Sequence, residues 1–494
     1  MRSILVNGRL SACVLLVTLG AGANPVFAGA AGPADKIPIT TSSEGARKLY
    51  LQGRDLAEKL RATDARRFYE QAVAADKAFA LGYIGLANTS GTTREFIDAT
   101  THAATLAGQV SEGERQMILA LEAGMKGDPA GVLAHYTELV RLFPNDERAQ
   151  TLLGNTYFGR QDYDAAVKHF VKATTINAAF SQPYNQMGYA YRFLERFEDA
   201  EKAFKKYTQL IPTDPNPYDS YAELLMKMGR FDESIKMYEK ALSLDRNFVA
   251  SYVGIGNAHL CMGHPDQARA AFAKLASVAR NTGERRQARF WTAAAYVHEG
   301  ATDKALEELK ALSALAEAEH DGASVSADRN LMGDVLREAG RFDEAAAKYS
   351  ESVAVIEKAE VPEAVKEATR RNYLFEQGRV AVGKNDLTTA RARAAEYARQ
   401  VAVRTIRFEV QQQHELAGLI ALSEKRGAAA AQEFSGANQQ DPRILYLTAV
   451  ALRDAGDPQR ASGLAAKAAK FNGLSFSYGY VRRQAGNVIG TSLH

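Results

Sequence analysis

Small and aromatic residues return at fixed spacings along most of this chain. The small residue Gly154 is followed by a second small residue, Ala166, and then by the aromatic residue Phe170. The same arrangement begins again at Gly188, Ala222 and Gly256, at one constant interval. A spacing held over four units is typical of a repeat protein in which each unit packs on its neighbours.

The same register extends in both directions and defines twelve units. Their opening residues are Gly53, Ala87, Ala120, Gly154, Gly188, Ala222, Gly256, Ala293, Gly333, Gly378, Gly418 and Ala449. The interval is nearly constant up to Gly256 and longer afterwards, which predicts longer helices or loops. We therefore place a soft boundary near residues 281–287, between an array over 44–290 and a second array over 291–472.

The recurring glycine predicts close contact between two helices. Glycine inside a helix costs about 1 kcal/mol relative to alanine, so its return indicates a place where a neighbouring helix leaves no room for a side chain. We expect Ala166 and Ala200 to form the other face of this contact, with the aromatic residues beside it. Gly229 and Gly263 follow the opening residue by seven and should end the first helix in the left-handed conformation.

This pattern resembles the tetratricopeptide repeat, a helix-turn-helix unit of about 34 residues, over residues 44–472. The resemblance implies an all-α fold, a right-handed α-solenoid of about twelve units whose first helices line the concave side and bind extended peptides or partner helices. Residues 111–120 and 142–146 look like the arrays attached to bacterial sensor kinases, cyclases and regulators. Residues 473–494 leave the helical pattern. Their alternating apolar residues allow an extended edge segment, but we favour a frayed tail.

The amino terminus has the order of a secretory leader. Arg2 and Arg9 precede an apolar run, and small residues allow cleavage after Ala28 or Ala30. We therefore predict a signal peptide over 1–28, a linker over 29–43, and an exported protein that is periplasmic or secreted. Two alternatives would place it on a membrane: the leader could stay as an uncleaved anchor, or Cys13 could be lipidated.

Composition narrows the range of partners. The 494 residues are 46% hydrophobic and 24% charged, as expected of a folded chain. The net charge of +3 gives no reason to expect nucleic acid as a partner. With Cys13 in the leader, Cys261 alone remains, so the mature chain cannot form an internal disulfide.

The sequence contains no catalytic or metal-binding motif with the residue spacing that such a motif requires. The chain has no phosphate-binding glycine loop, no G-x-S-x-G and no H-E-x-x-H. His259, Cys261 and His264 form its one cluster of metal-capable residues, but on a helix His259 and Cys261 point about 200° apart. We predict no catalytic residue, no metal site and no cofactor, and interpret Cys261 as a small buried hydrophobe.

The remaining candidate is the concave surface of the central units. By register, its inward positions are Thr151, Asn155, Asn185, Tyr189, Arg192, Asp219, Glu223 and Asn257. Amide, phenol and charged groups suit a peptide backbone, since asparagine both donates and accepts. The alternative is an ordinary solvated groove.

We therefore predict a non-enzymatic interaction scaffold or adaptor of the cell envelope, with a protein partner. The alternative function is a ligand-handling subunit that guides an exported polysaccharide or lipid-linked chain, as tetratricopeptide parts of some bacterial exopolysaccharide systems do. Stacked aromatic residues would favour that alternative, and the inward set holds only Tyr189.

Overall fold

The computed structural model describes residues 36–59, 61–403 and 406–488. Within these ranges the chain forms α-helices and one short 3-10 helix, Ala107–Gln109, and no strand. The predicted signal peptide and residues 29–35 of the predicted linker lie outside the described residues. Among the helices described, none combines the length and apolar character needed to cross a membrane. The expected all-α repeat fold is confirmed.

The described residues divide into two compact units. Unit 1 contains the chain up to Pro212 together with Pro362–Ala368, and unit 2 contains Thr213–Val361 and the residues from Thr369 onward. Among the described residues, unit 1 contains ten complete α-helices: α1 (Glu44–Glu58), α2 (Ala62–Ala75), α3 (Ala80–Asn88), α4 (Thr93–Thr105), α5 (Glu112–Met125), α6 (Pro129–Leu142), α7 (Glu147–Gly159), α8 (Tyr163–Ile176), α9 (Gln182–Phe193) and α10 (Phe197–Leu210).

Unit 2 continues the same succession of helices. They are α11 (Pro215–Lys227), α12 (Phe231–Leu244), α13 (Val249–Met262), α14 (Pro265–Val278), α15 (Thr282–Glu299), α16 (Thr302–Ala318), α17 (Gly322–Glu338), α18 (Phe342–Lys358), α19 (Glu363–Gly383, its first residues in unit 1), α20 (Leu387–Ala402), α21 (Arg407–Ser423), α22 (Gly427–Gly436), α23 (Pro442–Asp454), α24 (Pro458–Ala469) and α25 (Phe476–Val488). In the part of the chain that the structure describes, helices α1 to α24 form twelve successive pairs, one for each predicted unit.

Local sequence sets where many of these helices begin and end. The Asp441 carboxylate accepts from the backbone N–H of Arg443, and Pro442 occupies the first turn of α23, where its missing N–H is not needed. Helix α13 ends at Gly263, whose φ of 83° is left-handed, and α11 is followed by Gly229 at 77°. Both glycines therefore end first helices as predicted.

In six of the described helix pairs, the opening glycine packs against an aromatic ring of the second helix. A Cβ atom at Gly188 would lie 2.5 Å from the ring of Phe204, and one at Gly256 would lie 2.1 Å from the ring of Phe272. Both rings are fully buried. The expected close contact is confirmed, but its other face is the aromatic ring rather than the alanine. Ala200 is buried beside it.

Longer helices account for the longer repeat spacing. Helices α7 to α14 have 12 to 14 residues, whereas α15 to α19 have 17 to 21. The predicted boundary near 281–287 is the start of α15, where the Asn281 side chain accepts from the N–H of Glu284. The two compact units are not the two predicted arrays. The division into arrays over 44–290 and 291–472 stays a prediction.

Residues 476–488 of the predicted tail form helix α25, so a frayed or extended conformation is wrong for them, and residues 489–494 lie outside the described residues. Tyr478 and Val481 are buried in one cluster of side chains, and Phe476 and Tyr480 pack against another. A helix that packs on more than one side is apolar around most of its circumference. An alternating apolar pattern therefore does not require a strand here.

Candidate partner-binding surfaces

The eight predicted site residues all lie on first helices of the pairs. Thr151 and Asn155 are on α7, Asn185, Tyr189 and Arg192 on α9, Asp219 and Glu223 on α11, and Asn257 on α13. Five belong to unit 1 and three to unit 2. We expected these side chains to face solvent. That is wrong for the buried members Thr151, Asn185, Asp219, Glu223 and Asn257.

In unit 1, two asparagines keep a buried acceptor without a partner. Thr151 is already used within α7, since its hydroxyl donates to the carbonyl of Glu147 at 2.6 Å. The side-chain oxygens Oδ1 of Asn155 and Asn185 are buried and accept no hydrogen bond. A buried polar atom left in this state costs about 1 to 3 kcal/mol. These two oxygens are therefore the acceptors of the predicted set that a bound donor could satisfy.

The ring of Tyr189 takes part in packing contacts within unit 1. It makes an edge-type contact with Phe204 at 5.3 Å between ring centroids, and the guanidinium carbon of Arg192 lies 4.9 Å from its centroid. Arg192 also lies 5.1 Å from the centroid of Phe193. Because Tyr189 already stacks with protein groups, its geometry gives no support to the polysaccharide alternative.

In unit 2, one predicted residue links neighbouring first helices and another is bonded within its own helix. The hydroxyl of Ser251 on α13 donates to the carboxylate of Asp219 on α11 at 2.8 Å. Asn257 donates from Nδ2 to the carbonyl of Val253, also on α13, at 2.9 Å. Both buried side chains therefore already have hydrogen-bond partners within unit 2. A role in holding a partner stays a prediction for all eight residues.

Unit 1 also holds an extended segment of its own chain, which the sequence analysis had treated as linker. Residues 36–42 precede α1. The backbone N–H of Ile37 donates to Asp146 at 3.0 Å, and that of Thr40 donates to Glu114 at 2.7 Å. The side chain of Ile37 packs against a buried cluster that includes Phe143. First helices α5 and α7 therefore receive an extended backbone through carboxylates at their amino-terminal ends.

Unit 2 holds helix α25 against its own first helices. This helix contacts α15, α23 and α24. The guanidinium of Arg482 donates to the carbonyl of Leu260 at 2.7 Å and to that of Cys261, both in the last turn of α13. Phe476 lies 5.2 Å from Phe290 of α15 between ring centroids. The first helices of unit 2 therefore receive a helix.

A buried ionic cluster lies on the first helices of unit 2. Arg443 on α23 pairs with Glu338 on α17 and with Glu415 on α21, each at 3.1 Å. Arg379 on α19 lies 3.2 Å from Glu376 and 3.5 Å from Glu415. Burial alone would raise the pKa of Glu338, but the surrounding arginines lower it to about 2.

Two residues of this cluster occupy the inward register of the central units, although they were not among the predicted site residues. Glu415 stands three residues before the opening Gly418, the position that Thr151 and Asn185 occupy in their units. Arg379 stands one residue after Gly378, the position of Asn155. Applying the central register to the longer units would have placed both residues inward.

Family models agree with this geometry over the regular part of the array. Models of the tetratricopeptide repeat match residues 147–180, 181–214 and 225–289. Each match coincides with paired helices whose small and aromatic residues pack as described above. The chain therefore contains tetratricopeptide repeats over these residues. No curated protein matches it well enough to be counted as a relative.

Solved structures of other repeat proteins resemble parts of this tetratricopeptide repeat chain. A structure of MamA is 23% identical, with a TM-score of 0.29, and covers 35% of this chain and 98% of its own. YrrB, described as a tetratricopeptide repeat protein with an unusual peptide-binding site, is 17% identical, with a TM-score of 0.26, covering 36% and 91%. A repeat protein from Parabacteroides merdae is 15% identical, with a TM-score of 0.36, covering 55% and 94%. These identities and scores support no statement about function.

Cys261 and His259 of α13, and His264 at the start of α14, have separate surroundings in this repeat protein. Cys261 is buried with Tyr478 and Val481, and burial raises the pKa of its thiol to about 12. The rings of His259 and His264 lie 6.2 Å apart between centroids. Across the described ranges, the structure groups no three His, Cys, Asp or Glu side chains as a metal ion would require. Repeats of this family are in general scaffolds rather than enzymes.

Proposed function

We propose that this tetratricopeptide repeat protein is an exported scaffold of the cell envelope that binds a peptide of a protein partner on the first helices of unit 1. The observation that carries the proposal is the extended segment over residues 36–42. Its backbone N–H groups donate to Glu114 and Asp146. The chain's own peptide thus gives an example of how these helices receive a main chain.

The two unpartnered amide oxygens support a second binding position in the same unit. Asn155 on α7 and Asn185 on α9 stand on successive first helices, and each keeps a buried acceptor without a donor. Backbone N–H groups of an extended peptide are suitable donors. Because the oxygens are buried in the free protein, binding requires these side chains to turn toward the peptide. Binding is favoured because each of these oxygens then accepts a hydrogen bond that it lacks in the free protein.

The test uses a peptide selected from a displayed library against the mature chain, residues 29–494. We expect Asn155→Ala combined with Asn185→Ala to weaken the selected peptide at least tenfold, which corresponds to about 1.4 kcal/mol. The melting temperature should hardly change, because these two oxygens make no hydrogen bond in the free protein. Isothermal titration and thermal unfolding measure the two effects.

A matched control lies on the second helices of the same pairs. Lys168 on α8 and Lys202 on α10 are exposed, so replacing both with alanine should leave the affinity unchanged. If the lysine pair weakened the peptide and the asparagine pair did not, the peptide would bind elsewhere and the proposed site would be wrong.

Export is the second part of the proposal and rests on the leader sequence. Amino-terminal sequencing of the protein from its native host should find a chain that begins at Gly29 or Ala31. Intact Met1 in the soluble envelope fraction would contradict cleavage. Loss of membrane attachment in Cys13→Ser would show lipidation instead.

A further inference from the structure

We infer that the first helices of unit 2 form a binding site for an aromatic amphipathic helix of a partner, and that α25 is the displaceable occupant of this site. This inference concerns unit 2 and does not depend on peptide binding by unit 1. It rests on where α25 packs, how it is anchored, and which of its polar atoms stays unsatisfied.

The position of α25 goes beyond the covering of a chain end. A terminal helix that only covers the last pair would contact α23 and α24. Helix α25 does contact both, but it also reaches α13 and α15, which stand several pairs earlier in the chain. It therefore occupies the surface that the first helices of several pairs build together.

The anchoring contacts describe what the site recognises. Phe476 and Tyr480 pack against the buried cluster that contains Met332 and Val335. On another side, Tyr478 and Val481 pack against Cys261. The site therefore accepts large aromatic side chains on more than one side of a helix.

Arginine and glycine complete this recognition. Arg482 donates to two carbonyls in the last turn of α13, the end at which a helix carries partial negative charge. Gly479 lets the backbone of α25 approach α15, because a Cβ atom there would lie 2.7 Å from His298 and 3.1 Å from Val297. The matching partner is a helix with aromatic residues around a small residue, followed by an arginine.

The fit of α25 is incomplete at one atom. The hydroxyl of Tyr480 is buried and has no hydrogen-bond partner. A segment selected only to complete the core would gain from phenylalanine at this position, since an unsatisfied buried hydroxyl costs free energy. A competing helix without this cost could replace α25, which is why we describe it as displaceable.

The experiment titrates a fluorescent peptide of residues 471–488 with the full mature chain. Wild-type chain should bind it weakly, because α25 fills the site. Gly479→Leu in the chain should exclude the resident helix and tighten peptide binding at least tenfold. Gly463→Leu is the matched control: Gly463 is an exposed glycine of α24 with open space around it, and its replacement should leave binding at the wild-type level.

Two further chain variants and one peptide variant test whether loosening α25 tightens peptide binding and fixing α25 weakens it. They keep the test valid if Gly479→Leu folds poorly. Arg482→Ala in the chain should also tighten binding of the wild-type peptide, whereas Arg482→Ala in the peptide should weaken its binding to the Gly479→Leu chain at least tenfold. Tyr480→Phe in the chain should act in the opposite direction and weaken peptide binding, since the resident helix then fits better. The inference would be overturned if the peptide bound no variant, or bound wild type, Gly479→Leu and Gly463→Leu equally.

Discussion

Unit 1 and unit 2 hold different segments of their own chain on helices of the same kind. In unit 1, the extended residues 36–42 donate backbone N–H groups to carboxylates at the starts of α5 and α7. In unit 2, a helix packs through aromatic rings and an arginine against the ends and sides of α13 and α15. The helix pairs are built alike, so the side chains on the first helices determine which shape of segment is held.

A second difference concerns buried polar groups. Unit 1 leaves Asn155 and Asn185 with buried acceptors that have no partner. Unit 2 places Asp219 in a hydrogen bond with Ser251 and assembles an ionic cluster around Glu338. Unit 2 also keeps buried polar atoms without a hydrogen bond, among them Trp291 Nε1 and Tyr480 Oη, so the two units differ in which polar groups are paired rather than in whether any are left. Substitutions in each unit test this difference.

A substitution in the ionic cluster of unit 2 should cause the largest loss of folding stability. Glu338→Gln removes one carboxylate partner of Arg443 and of Arg337 from a buried site, and breaking a buried pair costs about 3 to 5 kcal/mol. Urea unfolding followed by circular dichroism measures the change. Glu138→Gln on α6 breaks a surface pair with Arg141 and should change stability by less than about 1 kcal/mol. Similar losses in both variants would contradict a special role for the cluster.

Acid should weaken the same cluster. The pKa of Glu338 is lowered to about 2 in the folded protein, below the ordinary value of 4.5. A lowered pKa means that the carboxylate contributes stability above pH 4.5 and loses it as the pH falls toward 2. The stability difference between wild type and Glu338→Gln should therefore shrink over this range. A difference independent of pH would show that the charge of Glu338 is not the cause.

Replacing the glycine that contacts an aromatic ring should lower stability moderately, and by the same amount in the two units. Gly188→Leu in unit 1 and Gly256→Leu in unit 2 each force a side chain against a buried ring, and overpacking of this kind costs about 1 to 3 kcal/mol. Lys205→Ala, at an exposed position, should hardly change stability. Denaturant unfolding of the three variants provides the measurement. A loss in only one unit would mean that the pairs are not packed alike.

Substitutions in the turns between the two helices of a pair should change stability least. The change should differ between unit 1 and unit 2. In unit 2, Gly263 has a φ of 83°, whereas the equivalent residue in unit 1, Gln161, has a φ of 60° with a full side chain. Gly263→Ala should cost about 1 kcal/mol. Gln161→Gly should be close to neutral, since relief of strain is offset by greater freedom of the unfolded chain. Thermal unfolding measures both changes in stability. A clear loss of stability in Gln161→Gly would contradict the assignment of Gln161 as the equivalent of Gly263.

The sequence predicts the repeated framework well because that framework depends on local spacing. The opening glycine, the aromatic ring of the second helix and the left-handed glycine all lie within one pair of helices. Residues 36–42 and α25 were missed because their partners lie far along the chain: Ile37 bonds to Asp146, and Arg482 bonds to Leu260. No periodic pattern carries that information.

The site residues were placed correctly on the first helices, but their burial was not foreseen. Register identifies which side of a helix faces inward, yet it does not tell whether another helix covers that side. Asp219 and Asn257 illustrate this, since both point inward and both are used between or within packed helices. The longer units depart from the constant interval, so the register was not carried into them and the ionic cluster was overlooked.

The reactivity of Cys261 tests the central claim, that unit 2 holds its own helix on its first helices. In a chain that lacks residues 1–28 this thiol is the single cysteine, and Tyr478 and Val481 of α25 pack against it. A maleimide reagent should label wild type slowly at pH 7, because the thiol is buried and its pKa is raised to about 12. In Gly479→Leu the rate should rise at least tenfold, while Gly463→Leu should label as slowly as wild type. Labelling of wild type as fast as Gly479→Leu would show that α25 does not cover the site.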